Sequence, residues 1–110
     1  MTHEYKRILS IDIQHIPDDD PDTSYLEQPH HRERLAKYKA GMFGYIGIRA
    51  KATIQVNDLL ETIYSGGLWG IEDDSGQAHF QEIESDELTE LSQALMQLDF
   101  TQDEIDKHMP

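Results

Sequence analysis

The chain has 110 residues, no cysteine, and 22 Asp/Glu against 9 Lys/Arg, a formal net charge of −13. That length suits one domain over residues 1–110. The missing cysteines exclude disulfide and thiolate chemistry and fit a reducing compartment. A charge of this sign and size excludes direct binding to DNA, RNA or anionic membranes, which needs Lys and Arg to neutralise phosphate.

The first element is a strand. The opening run through Lys6 and Arg7 lacks the apolar stretch of a secretory leader. From Ile8 to Ile16 apolar and polar residues alternate, with Leu9, Ile11 and Ile13 on one face and Ser10, Asp12 and Gln14 on the other. Pro17 ends the strand, and Asp18-Asp19-Asp20-Pro21-Asp22 is an acidic turn-rich loop. Tyr25 and Leu26 anchor the next segment to the core. Pro29 suits the first turn of a helix through Lys39, with Leu35 and Tyr38 inward and Gly41 as its stop.

Tyr45 to Asn57 has the plainest pattern in the chain. Ile46, Ile48, Ala50, Ala52, Ile54 and Val56 hold every even position, while Gly47, Arg49, Lys51, Thr53 and Gln55 hold the odd ones. A period of two over this length predicts a half-buried antiparallel strand. Asn57-Asp58 marks a turn, and Leu60 to Tyr64 pairs back as a third strand. Ser65-Gly66-Gly67 interrupts it as a bulge or bend. Leu68, Trp69 and Ile71 then resume apolar burial before an acidic loop, Glu72-Asp73-Asp74-Ser75-Gly76.

The remainder reads as helix. Phe80, Ile83, Leu88, Leu91, Leu95 and Leu98 form an apolar stripe. Ser85 is a candidate cap that would divide it into a short and a longer helix. Thr101-Gln102-Asp103-Glu104 matches a capping box and starts a last short helix with Ile105 inward. The predicted fold is α+β: about three antiparallel strands with two to four helices on one face.

The charge is not spread evenly. All of the net charge lies beyond Asn57, where 14 Asp/Glu face a single cation, Lys107. Self-repulsion opposes such a gathering, so it points to a use outside the fold. On a helix, Glu82, Asp86 and Glu90 fall four apart in one row at ~6 Å spacing, flanked by Glu84 and Glu87. Carboxylates at that pitch resemble the phosphates of one nucleic-acid strand. An ordinary solvated helix face is the competing explanation, but such faces mix Glu with Lys, and here no Lys or Arg occurs between Lys51 and Lys107.

Other chemistry is poorly supported. Neither acidic loop has the glycine and terminal glutamate spacing of a Ca²⁺ loop. The histidines lack Zn²⁺ spacing, and the Ser65-Gly66-Gly67 segment lacks the lysine of a phosphate loop. No cofactor, metal or catalytic residue is therefore expected, and the chain is read as a non-enzyme.

Three stretches together resemble a known group: Asp20-Pro21-Asp22-Thr23-Ser24-Tyr25-Leu26, Tyr45-Ile46-Gly47-Ile48-Arg49-Ala50-Lys51-Ala52, and Ser65-Gly66-Gly67-Leu68-Trp69-Gly70-Ile71-Glu72. With the acidic, leucine-bearing helix after them, they are similar to small acidic proteins of bacterial phages and mobile elements, most of them uncharacterised. The resemblance covers most of residues 18–100. It implies a bacterial cytoplasmic setting and an anti-defence role, such as inhibition of CRISPR or restriction machinery.

The expected function is that of a small acidic inhibitor occupying the basic nucleic-acid site of a defence effector. Its partner-binding residues are Trp69, Glu72, Asp73, Asp74, Glu82, Glu84, Asp86, Glu87 and Glu90. The alternative is an adaptor or regulator, homodimeric in one form, that uses the strand face or Trp69 while its acidity serves solubility.

Overall fold

The computed structural model describes residues 5–110. Residues 1–4, the start of the segment read above as lacking a leader, lie outside them. The elements are β1 (Lys6–Pro17), α1 (Arg32–Lys39), β2 (Tyr45–Val56), β3 (Leu59–Tyr64), β4 (Leu68–Glu72), α2 (Gln77–Gln97) and α3 (Gln102–His108). Two short 3-10 turns, Ser24–Glu27 and Pro29–His31, lead into α1.

The sheet is antiparallel and centred on β2. β1 lies along one side of it. On the other side β3 pairs with Lys51 to Val56, and β4 pairs with Tyr45 to Ile48. β3 and β4 are thus two halves of one broken strand, so the expected sheet of about three strands has four. The break is Ser65-Gly66-Gly67, with Gly67 at φ 81°, a left-handed conformation that costs a residue with a Cβ.

The even residues of β2 face the helices, as their alternation requires. Ala50, Ala52 and Ile54 join Ile8, Ile11, Leu91, Leu95, Phe100 and Ile105 in the largest apolar cluster. The inward set of β1 differs by one position from the expected one. A register shift between Ile8 and Ser10 makes Leu9 the extra residue of a bulge, so Ile8 takes the core place beside Ile11. A second cluster joins Ile48, Ile71 and Ile83. A third, of Leu26, Phe43 and Tyr45 with Tyr25, Leu35 and Tyr38, packs α1 at the end of the sheet. Ile46 belongs to the α2 side, so Tyr45, its neighbour, points to the opposite face, and α1 covers that face locally.

The Asn57-Asp58 turn joins β2 to β3, with Asn57 at φ 54°. Asn57 also exchanges bonds with Tyr5, whose N–H donates to its side-chain oxygen. α2 is one helix of 21 residues; no second helix starts at Ser85. The stripe Ile83, Glu87, Leu91, Leu95 runs past Ser85 without interruption, and packing of that stripe outweighs the capping tendency of one serine. α3 begins as expected: the Thr101 hydroxyl accepts from the Glu104 N–H, and Ile105 is fully buried.

Candidate functional site

The strand break is held by α2. Glu87 is buried, and one of its carboxylate oxygens accepts from the Ser65 hydroxyl and the Gly67 N–H, both at 2.7 Å. One turn on, Glu90 accepts from the Gly66 N–H at 2.9 Å. The Ser65 hydroxyl in turn accepts from the Ala50 N–H of β2. Two helix carboxylates therefore tie down the successive N–H groups that the break would otherwise leave without ladder partners.

The break re-aims Trp69. Its indole lies across the α-carbon of Gly47, where a Cβ would sit 2.1 Å from the ring. The ring is 46% exposed, so the expected return to burial at Leu68 and Trp69 is not met; of that trio only Ile71 is buried. Trp69 stands on the sheet face away from α2. Next to it on the same face, the Arg49 guanidinium lies 4.0 Å from the centroid of the Tyr64 ring and donates to Gln14.

The acidic loop after β4 is occupied internally. Arg34 of α1 makes two bonds to Asp74, at 2.9 and 2.8 Å, and also pairs with Glu72. Glu72 further accepts from the Tyr25 hydroxyl, which lies 2.6 Å from that of Tyr45. Asp73 accepts from the Gly44 N–H. The Arg34 guanidinium holds the Asp74 carboxyl below the usual carboxylate range, and the Asp74 and Glu72 carboxylates push Arg34 up. Burial raises Tyr25, aided by its bond to Glu72. This group latches α1 to the loop entering α2.

The nine residues expected to bind a partner thus separate by environment. Glu72, Asp73 and Asp74 belong to the latch, and Glu87 to the strand break. Glu84 meets His15 of β1 at 2.8 Å. Glu82 and Asp86 are exposed and make no hydrogen bond or ion pair among the described residues, and Glu90 is exposed with its second oxygen unused. These three run in one row, which Glu90 brings against the break, and no Lys or Arg occurs anywhere in α2.

Sequence reasoning missed Arg34 and Ser65 as partners of these carboxylates. It also missed Leu59, Leu60 and Tyr64, which are exposed along β3. Among the described residues no three His, Asp or Glu side chains gather as a metal-ligand group, and no helix is long and apolar enough to cross a membrane. Comparison with protein-family models, curated proteins and solved structures gave no match.

Proposed function

We propose that this chain is a small acidic binding protein whose α2 ridge occupies a basic surface on a larger protein, of the kind that holds nucleic-acid phosphates. The observation that carries this reading is the row Glu82, Asp86 and Glu90: three exposed carboxylates on one helix without a cation among its 21 residues. Like charges four apart destabilise a helix by a few tenths of a kcal/mol per pair. The fold tolerates that cost while Glu72, Asp73, Asp74, Glu84 and Glu87 are paired within the chain, so among the acids expected to bind a partner this row is the negative charge left over. Arg is the natural counterpart, since it meets carboxylate in a bidentate geometry as it meets phosphate. The resemblance to acidic phage and mobile-element proteins directs the search to bacterial defence effectors. Competitive exclusion of nucleic acid is the mechanism: a bound α2 ridge and a bound phosphate backbone require the same Arg and Lys side chains.

The test is capture of host proteins on the immobilised chain, run beside a variant with Glu82, Asp86 and Glu90 all changed to Gln. Retention of a nucleic-acid-binding protein by the wild type alone supports the proposal. An identical set of captured proteins on both columns contradicts it.

A further inference from the structure

Five of the large exposed apolar side chains lie on one border of the molecule: Leu59, Leu60 and Tyr64 on β3, and Leu68 and Trp69 on β4. β3 is an edge strand, paired only with β2 among the described residues. Its pairing sets which backbone groups are spare. The two-residue turn puts Val56 and Leu59 in the first, hydrogen-bonded position, and the Ser65 N–H bonds to the Ala50 carbonyl, so the odd residues turn their amides toward β2. The amides and carbonyls of Leu60, Thr62 and Tyr64 therefore point outward along the free edge.

Edges of this kind are normally blunted by lysine, proline or a covering loop. β3 reads Leu-Leu-Glu-Thr-Ile-Tyr and has neither Lys nor Pro. β1, the opposite edge, is treated differently: it begins with Lys6 and Arg7, bulges at Leu9 and ends at Pro17. What guards the β3 edge is charge. Asp58 and Glu61 stand at the strand itself, and Glu90, Asp86 and Glu82 continue along α2 beyond the break. A second copy at this edge would set two such acidic borders side by side, each on a molecule of net charge −13.

We infer that the β3 edge is a strand-addition site for an extended, basic segment of the partner protein. The segment's backbone bonds to Leu60, Thr62 and Tyr64. Its apolar side chains lie on Leu60 and Tyr64, on the sheet face away from α2. Its Lys and Arg side chains meet Glu61 and, past the break, Glu90, Asp86 and Glu82. Main-chain pairing then supplies affinity, and the acidic border selects a cationic strand over an acidic one or a second copy. This inference rests on the proposed function and specifies how the partner is gripped.

The test uses the whole chain and a synthetic peptide alternating lysine with valine, with a glutamate-for-lysine peptide as control. Amide hydrogen exchange is followed residue by residue. The lysine peptide is expected to slow exchange at Leu60, Thr62 and Tyr64, leaving the outward amides of β1 unchanged, and the glutamate peptide to have no effect. Leu60→Lys with Tyr64→Lys changes two exposed side chains and is expected to weaken peptide binding at least about tenfold. Binding that leaves the β3 amides unprotected, yet is lost in the Glu82, Asp86, Glu90 to Gln variant, overturns the strand-addition site while sparing the acidic-ridge reading. Equal protection by both peptides, or concentration-dependent protection without peptide, overturns it in favour of an edge indifferent to charge or a homodimer.

Discussion

Gly47 and Trp69 form the contact most open to a single-residue test. Gly47→Ala places a methyl group where the indole now lies, and the neighbouring atoms are ring atoms with no flexible end to yield. The expected cost is about 1–3 kcal/mol, as for other overpacked sites. Trp69 is the chain's one tryptophan, so its fluorescence reports the outcome: emission shifts to the red as the ring lifts from the sheet. Unchanged emission in the variant contradicts the stacked position. Glu87 gives a second test. Glu87→Ala leaves the Ser65 hydroxyl and the Gly67 N–H without their acceptor, an expected loss of about 1–3 kcal/mol. Glu87→Gln keeps an acceptor oxygen and should lose less, as measured by denaturant unfolding. The Arg34–Asp74 pair predicts behaviour in acid. Because the folded state lowers the Asp74 pKa, its contribution is present above the ordinary value of 3.8 and is lost as pH falls through the folded one. The difference in stability between wild type and Asp74→Asn should therefore be constant from neutral pH to about pH 5 and shrink below about pH 4.

At the scale of elements, much was legible because periodicity reports which face is buried. The alternation of β2 survives from Ile48 to Ile54, with each even residue buried and each odd one half-buried, while Tyr45 and Gly47 at its start are buried from the other face, and the Thr101 capping pattern locates α3. Pro29 and Gly41 bracket the turn and helix containing α1. The exceptions have physical causes. Leu9 is a bulge residue, and nothing in an alternating run marks where one extra residue enters. Ser85 has cap chemistry but lies inside a stripe whose packing keeps α2 continuous. Glu87 carried a signal that was not used: it fills the i+4 slot between Ile83 and Leu91, and a carboxylate in an apolar stripe implies buried donors. The Arg34 latch was not legible at all, because its two sides lie about forty residues apart. Arg34 of α1 pairs with the loop after β4, whereas the Asp18 carboxylate accepts from the Gly70 and Asp20 N–H groups. Changing Glu82, Asp86 and Glu90 together to Gln should leave α2 intact, since a glutamine amide oxygen in place of the Glu90 carboxylate can still accept from Gly66. Stability should hold or rise by a few tenths of a kcal/mol at low salt, as repulsion along the row is relieved. A clear loss of helicity by circular dichroism contradicts the solvated position of the row.

Over the whole molecule, the strands divide chemistry between two faces and one border. One face is the core under α2 and α3. The other holds Trp69, Tyr64 and Arg49. The border at β3 and α2 carries Asp58, Glu61, Glu82, Asp86 and Glu90 with no Lys or Arg in either element. Association driven by that border is long-ranged and screened, so raising salt should slow binding to the partner far more than it speeds release. The most direct measurement is competition on the purified partner, with duplex DNA and this chain offered together at saturating concentrations. Mutually exclusive binding, with each ligand displacing the other and the triple Gln variant displacing neither, is the predicted result. A stable ternary complex of partner, DNA and this chain would contradict it.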